Sequence, residues 1–454
     1  MMARRQAATT FVALLVVAAA CTDEVEIPLL GSPSTTSSSP SGRGLRVEPV
    51  DTGEATSAGA MKALCISPTP VSTDDGSAPE QPAPSIAEVQ DQVESVRGLS
   101  YLEPVAAESV SSDEIAKDLT EAFDDTYPET FYDRRTVAWH TMGVIPRDVT
   151  IREALLAFQT GQVVGFYNPV DGQLVYRGDD ELDLVERYTL AHELTHAIDD
   201  QHFELSRLDG IAAACRDEPF QAALGAVEGS AQFFATRVIA EFPDVSGGLG
   251  DVGGGGLPDG VPPFIAELML WPYSAGQAFI TALESRGELQ EVDAALKDLP
   301  TTTEQIMHPE LYPGRAPAPP NIENRARSLG PGWGDLDVMQ VGEEWLSAML
   351  DLSVEPGLVE DVAAGWNGGG YRAWTDGRDA AVLLRVSWDS VDDATVFASA
   401  MASWLESTGV TGSVADPADG RTVTVGFATS HEALAALEVS TGSDSVTVMR
   451  LARP

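Results

Sequence analysis

The chain has 454 residues, and its 27 Lys and Arg against 70 Asp and Glu give a formal net charge of −43 at pH 7. Hydrophobic residues make up 43% of it, as in ordinary soluble globular proteins, and the length predicts about two or three domains. The negative charge argues against nucleic acid or an anionic membrane surface as a partner of the folded body, because both are polyanions. Composition predicts no oligomeric state.

Residues 1–21 have the pattern of a signal peptide. Arg4 and Arg5 are followed by a short apolar stretch, Phe11 to Ala20, and then by Cys21. Small residues before a Cys resemble the lipobox of bacterial lipoproteins, a family in which that Cys becomes the N-terminus and carries lipid. The resemblance implies lipidation at Cys21 and an extracytoplasmic protein anchored to the cell membrane, and secretion without an anchor is the alternative.

Residues 22–85 are rich in Ser, Thr, Pro, Gly and Asp, and Ser32 to Pro40 is a low-complexity run. Such a composition buries too little apolar surface to offset the entropy of ordering, so it predicts a disordered tether. Apart from Cys21, the chain has only Cys65 and Cys215. They pair or stay as two free thiols, and the sequence leaves both possibilities open.

The remaining chain predicts an α+β protein: a mostly helical domain over residues 86–320 with a small hairpin, then a small α+β module over residues 321–454. The helical domain has predicted helices near Ile86 to Val96, Ile115 to Phe123, Ile151 to Phe158, Leu184 to Asp200, Phe220 to Phe242, Phe264 to Leu270 and Ala275 to Arg286, the hairpin at Val163 to Tyr176 and a Gly-rich loop at Gly247 to Gly260. The module has predicted strands at Tyr371 to Trp374, Ala381 to Trp388, Thr422 to Phe427 and Ser445 to Leu451, and predicted helices at Asp392 to Ser407 and Glu432 to Leu437.

The strongest chemical signal is the run His192-Glu193-Leu194-Thr195-His196. At about 100° per residue, the two histidines lie on one face of a helix and can bind one Zn²⁺ ion together. Glu193 lies beside that face, where it can take a proton from a water molecule that the metal activates. With 6 His in the chain, a chance match to this spacing is unexpected, although two solvated or core histidines remain the alternative.

A catalytic zinc ion usually takes three protein ligands, and the sequence offers two candidates for the third. His202 lies six residues after His196, but a helix that continues past Asp199 turns it away from the other ligands. Glu228 lies on the next long helix, between apolar neighbours and before the small residue Gly229. We favour Glu228.

These motifs resemble those of the gluzincins, zinc metallopeptidases that combine His-Glu-x-x-His with a third ligand from a Glu-x-x-Ala/Asp helix. The run Glu228-Gly229-Ser230-Ala231 matches that helix. The segment around Tyr273 resembles the Tyr-Glu-Lys-Gly segment of the aminopeptidase N family, which implies that Tyr273 stabilises an oxyanion. Gluzincins also bind substrate along an edge strand, and the strand Val163 to Tyr167 or Leu174 to Tyr176 has the right chain order for this role.

Two further residues are candidates for supporting roles. Asp200 follows His196 by one turn and could orient a ligating imidazole. His308, in a Thr-Glu-Gln-Ile-Met-His-Pro segment, could be a second electrophilic donor to substrate or a surface histidine.

Residues Val89 to Tyr312 also resemble a group of uncharacterised bacterial secreted metallopeptidase-like proteins, through the runs Phe166 to Pro169, Leu190 to Phe203 and Thr303 to Pro309. Together these features predict a zinc-dependent metallopeptidase, a membrane-anchored hydrolase that cleaves a peptide or protein substrate. The alternative is a zinc-binding lipoprotein without catalytic activity that serves as an envelope binding or assembly factor. The sequence specifies neither the substrate nor endo- versus exo-cleavage.

Overall fold

The chain is described by a computed structural model over residues 14–15, 45–65, 84–111, 114–117, 120, 128–162, 165–169, 172–177, 182–243, 260–314, 316–415 and 420–437. Its elements confirm the predicted α+β class, with a helical part that carries a small sheet and a C-terminal part built on a larger sheet. Cys21, most of the Gly-rich stretch 247–260 and the predicted strand 445–451 lie outside the described residues.

The helices of the first part are α1 (Ser57–Leu64), α2 (Pro84–Arg97), α3 (Glu129–Met142), α4 (Ile151–Gln162), α5 (Leu184–Phe203), α6 (Arg207–Ala213), α7 (Asp217–Glu241), α8 (Pro263–Lys297) and α9 (Thr303–Met307). A 3-10 helix follows at Pro309–Leu311. The two helices predicted on either side of Pro272 form one helix, α8, which continues through Pro272. Its non-helical residues are Gly287 and Glu288, further along.

The small sheet consists of β1 (Leu14–Leu15), β2 (Ala106–Ser109), β3 (Gly165–Asn168) and β4 (Gln173–Tyr176), in the order β1-β3-β4-β2. Strands β3 and β4 form the predicted antiparallel hairpin, with Phe166 opposite Val175. Strand β2 joins β4 in parallel, and β1 pairs with β3 antiparallel. The core beneath contains residues of α2, α5, α7 and α8.

The C-terminal elements are α10 (Ala326–Leu329), β5 (Gly334–Val341), α11 (Glu343–Asp351), α12 (Pro356–Ala363), β6 (Trp366–Thr375), β7 (Ala380–Trp388), α13 (Val391–Thr408), β8 (Gly412–Ala415), β9 (Thr422–Ala428) and α14 (His431–Ala436). Every strand pair of this sheet is antiparallel, in the order β5-β6-β7-β9-β8. The predicted strands in β6, β7 and β9 and the predicted helices in α13 and α14 are confirmed. Strands β5 and β8 were not predicted.

The prediction of a disordered tether over residues 22–85 is wrong for residues 45–65, which belong to the folded body. Helix α1 buries Ala60 and Leu64, one turn apart, against Val338 of β5. The Cys65–Cys215 pair, left open by the sequence, forms a disulfide that ties the end of α1 to the segment before α7. Two apolar residues one turn apart are therefore enough to dock a helix within this polar segment.

The predicted boundary near residue 320 does not separate two cores. Helix α3 lies in the helical part of the chain, yet Trp139 packs with Phe264 and Trp345 in the core of the C-terminal sheet. Arg135, also on α3, donates to Asp337 of β5 at 3.1 Å. Among the described residues, no helix combines the length and apolar character that a membrane span requires.

Candidate metal centre

Helix α5 carries the His-Glu-x-x-His run and is buried along most of its length. It begins with a capping box, in which Asp183 accepts from the N–H of Glu186 and the Glu186 side chain accepts from the N–H of Asp183. His192, Glu193 and His196 have exposed fractions of 0%. Residues of this polarity are rarely so buried without a specific partner, which marks the segment as a site.

Three glycines let α7 and α8 approach closely enough to complete this site. A Cβ atom on Gly229 would lie 2.2 Å from the carbonyl carbon of Gly276, and one on Gly276 would lie 2.0 Å from the carbonyl oxygen of Gly225. The two helices therefore cross in backbone contact, which only glycine permits. The crossing lies beside Glu228 of α7 and within one turn of Tyr273 of α8.

The side chains of His192, His196 and Glu228 converge on one point. The Nε2 atoms of the two histidines are 3.0 Å apart, and Glu228 Oε2 lies 3.1 Å from His192 Nε2 and 3.4 Å from His196 Nε2. All three residues are buried, and this is the one such group of His, Cys, Asp or Glu ligand atoms among the residues the structure describes. The group could bind a metal ion.

Both imidazoles are neutral in this environment. Burial lowers the pKa of His192 to about 4 and the pKa of His196 to about 3. Neutral imidazole is the form that ligates a metal ion, so neither histidine must lose a proton near pH 7. Burial also disfavours the charged form of Glu228 and so raises its pKa, whereas the hydrogen bond with His192 lowers that pKa.

Glu193 lies beside the group and is held by strand β3 of the small sheet. Its Oε2 accepts from the backbone N–H of Tyr167 in β3 at 2.7 Å. Its Oε1 is buried and has no hydrogen-bond partner. Burial raises the pKa of Glu193 well above its ordinary value, and the nearby Glu228 carboxylate adds to this effect.

Tyr273 lies against the same group, as its predicted role requires. Its ring centroid is 6.1 Å from that of His192, and its side chain hydrogen-bonds the Glu228 carboxylate. The residue is buried. A phenol in this position can donate to a negatively charged oxygen that approaches the metal group.

Two residues at the site were not found from the sequence. Gln232, one turn after Glu228 on α7, lies beside His192 and raises its pKa against the effect of burial. Asp199 accepts from Arg97 at 2.7 Å and from Ser230 at 2.6 Å, and its charge raises the pKa of His196 against the effect of burial. Gln232 could have been found from the sequence, because it follows Glu228 by four residues and so lies on the same face of α7.

The structure corrects the role predicted for Asp200. Its carboxylate accepts from the Tyr167 hydroxyl at 3.0 Å and from the N–H of Leu205 at 2.8 Å. It thus braces β3 against α5 and holds the turn that follows that helix. Asp199, in contrast, is the carboxylate next to His196. The Tyr167 hydroxyl and the Leu205 N–H thus occupy the Asp200 carboxylate.

Neither of the two remaining histidine candidates belongs to the group. His202 Nε2 lies 2.9 Å from the carbonyl oxygen of Ser100, which favours Glu228 as third ligand. His308 Nε2 lies 3.0 Å from Glu343 Oε1 of α11, and that hydrogen bond raises the pKa of His308. The prediction that His308 donates to substrate at the metal group therefore finds no support in its contacts.

A family model for a domain of unknown function, DUF8575, matches residues 330–453. This stretch contains the C-terminal sheet and none of the metal group. No curated protein and no solved structure matches the chain.

Proposed function

We propose that this protein is a zinc-dependent metallopeptidase whose metal is held by His192, His196 and Glu228. The observation that carries the proposal is the convergence of these three buried ligands beside Glu193. A tetrahedral zinc ion with bonds of about 2.0–2.1 Å spaces its ligand atoms about 3.3 Å apart. The distances of 3.0, 3.1 and 3.4 Å between the three ligand atoms are close to that spacing and support zinc.

The protein's own groups suit peptide hydrolysis. When bound, zinc supplies Lewis acidity, which activates water and polarises a peptide carbonyl. Glu193 acts as general base: Oε2 stays on the Tyr167 N–H, and the unpartnered Oε1 takes the proton of the attacking water. Tyr273 donates a hydrogen bond to the oxyanion that forms from the carbonyl, and Glu193 returns the proton to the leaving amine as the C–N bond breaks.

Strand β3 supplies a binding edge for an extended peptide. One side of β3 pairs with β4, and on the other side, within the described residues, its pairing partner is Leu14–Leu15. Those two residues lie in the predicted signal peptide, and its removal would expose that edge of β3 to main-chain pairing with a peptide, while the Tyr167 N–H stays on Glu193. A peptide bound in this way runs beside Glu193, whose carboxylate Tyr167 holds.

The same proposal places the protein outside the cytoplasm, anchored through lipid on Cys21. The Cys65–Cys215 disulfide supports this, because such bonds persist in oxidising compartments. Cys21→Ser should move the protein from the membrane fraction to the soluble fraction and remove the lipid mass from its mature N-terminus. A variant that stays membrane-bound contradicts the anchor at Cys21.

The experiment for the activity treats the purified chain with a chelator and then restores single metals, with a broad peptide library as substrate. We expect cleavage to disappear with the metal and to return with about one equivalent of zinc. His192→Ala should bind no zinc at the site and cleave nothing. A chain that binds one zinc ion but cleaves no peptide would favour the alternative, a binding or assembly factor.

A further inference from the structure

A cavity of about 490 Å³ lies at the seam between the helical part and the C-terminal part of the molecule. Two helices form its main walls. Helix α8 contributes Glu267, Trp271 and Ala275, and α11 contributes Glu344, Ala348 and Asp351. On each helix these positions recur every three or four residues, so each wall is one continuous helical face.

The cavity is separate from the metal group, although both use helix α8. Tyr273 and Gly276 of α8 face the metal group and α7. Ala275, which lines the cavity, follows Tyr273 by two residues and therefore points about 200° away around the helix axis. The metal site and the cavity thus lie on nearly opposite faces of α8.

The lining of the cavity combines negative charge with an apolar wall. It contains the carboxyl groups of Glu267, Glu344, Asp351 and Glu360, and none of its residues is Lys, Arg or His. The apolar part includes Trp271, Ile306 and Val359. Such a lining suits a ligand that has both a cationic group and a hydrocarbon body.

The buried side chain of Glu344 is an independent sign of a binding site. Its residue is 3% exposed, and its Oε1 atom is buried without any hydrogen-bond partner. A buried carboxyl oxygen without a partner costs free energy that a bound donor recovers. Burial, with the nearby Glu218 and Glu267, raises the pKa of Glu344 well above its ordinary value.

The ligand is not a bare metal ion. Among the described residues, the cluster of three or more ligand atoms close enough to hold one ion is His192, His196 and Glu228. The cavity carboxylates do not converge on one point in that way, so they suit an organic cation that is larger than a metal ion.

We propose that this cavity binds an alkylammonium group, with the ammonium on Glu344 and the alkyl chain along the apolar face of α8. A volume of about 490 Å³ lies within the range of small-ligand sites, about 300–1,000 Å³. The ammonium satisfies Glu344 Oε1, and Asp351 at the mouth adds attraction. Such a group occurs in free amines and in the lysine side chain of a polypeptide. The proposal does not depend on peptidase activity.

Calorimetric titration of the full chain tests this with pentylamine and with pentan-1-ol, its uncharged counterpart. We expect pentylamine to bind at least about tenfold more tightly, the ratio that one charge-assisted hydrogen bond gives. Glu344→Gln, which keeps the side-chain shape, should remove most of this preference. Asp351→Asn, at the exposed mouth, should weaken it less, and Glu432→Gln on α14 should leave it unchanged.

A second titration separates the two sources of the ligand. Binding of pentylamine together with Nα-acetyl-lysine amide assigns the cavity to a lysine side chain, whereas binding of pentylamine alone assigns it to a free amine. The proposal is overturned if pentylamine and pentan-1-ol bind equally or not at all, if Ca²⁺ displaces the amine, or if Glu344→Gln binds it as tightly as the wild type. Thermal melts of the variants confirm that they are folded.

Discussion

Two buried glutamates of the metal centre have different partners and therefore different chemistry. Glu228 shares its Oε2 with both His192 and His196, which suits the metal ligand that we propose. Glu193 has one oxygen on the N–H of Tyr167 and the other without a partner, which suits the base that we propose. Two carboxylates with separate environments are a recurring arrangement in hydrolytic sites.

The choice between the two third-ligand candidates gives the first prediction. Glu228→Gln keeps the size of the side chain but replaces a charged ligand by a weak neutral one, so zinc content should fall from about one equivalent to near background. His202→Gln loses only a contact with Ser100 and should retain its zinc. Elemental analysis after dialysis against a weak chelator measures both. Zinc loss in His202→Gln alone would reverse the assignment.

The sequence predicted the three residues that converge, His192, His196 and Glu228, better than the residues that surround them. His192 and His196 follow from the geometry of a single helix, and Glu228 follows from its apolar neighbours. The difference between Asp199 and Asp200 could not be read in the same way. Both lie one turn beyond His196, and the choice depends on Tyr167, Arg97 and Ser230, which lie on other elements.

The crossing of α7 and α8 is the element-level feature on which the site depends. Gly225 and Gly229 of α7 meet Gly276 of α8, and this contact brings Glu228 and Tyr273 to the histidines of α5. Any side chain at these positions must push the two helices apart. Displacement by about 1 Å is enough to spoil a metal or catalytic geometry.

Gly229→Ala should therefore destabilise the protein by about 3 kcal/mol and lower its zinc affinity, since the new Cβ would lie 2.2 Å from the Gly276 backbone. The matched control is Gly210→Ala in α6, where a Cβ meets nothing within 4 Å. That change should stabilise the protein by about 0.5–1 kcal/mol through helix propensity. Urea unfolding measures both, and equal effects of the two substitutions would contradict the close crossing.

Periodicity predicted most of the long helices and the strands with alternating apolar residues, but it missed helix α3 and strand β5. Strand β5 hides two acidic side chains: Asp335 pairs with Arg372 at 2.6 Å, and Asp337 accepts from Arg135 and Tyr371. Their partners come from distant parts of the chain, so the strand reads as polar in isolation. Helix α1 was missed for a related reason, because its small apolar face matters only against β5.

The two parts of the molecule meet through buried acidic residues, Glu218 and Glu344. Glu218 of α7 accepts from the N–H of Thr303 at 2.5 Å and from its hydroxyl at 3.0 Å. The Thr303 hydroxyl in turn accepts from the N–H of Glu344 in α11 at 3.2 Å. These hydrogen bonds thus connect α7, the helix that carries Glu228, to the cavity wall at Glu344. The composition of the chain does not predict this connection.

Glu218 gives a prediction on the pH dependence of stability. Burial raises its pKa to about 8, although the hydrogen bonds from Thr303 oppose this. The folded protein then retains a proton that the unfolded chain releases above about pH 4.3, so the free energy of unfolding falls as pH rises towards about 8. The slope is at most about 1.4 kcal/mol per pH unit.

Glu218→Gln removes this group, so its stability relative to the wild type should rise between about pH 5 and about pH 8. Urea unfolding across that range measures the difference, with Glu241→Gln at the exposed end of α7 as control. Parallel pH profiles of wild type and Glu218→Gln would show that the carboxyl is ionised in the folded protein throughout.

The central claim is that Glu193 is the base of a zinc-dependent peptidase, and one comparison tests it most directly. Zinc-loaded wild type and zinc-loaded Glu193→Gln are assayed on a peptide that the wild type cleaves, with the metal content of both measured in the same samples. We predict that the variant keeps about one equivalent of zinc and loses activity by about 10²–10⁴-fold, the usual contribution of a general base. Cleavage by Glu193→Gln at the wild-type rate, with zinc in place, would contradict the account.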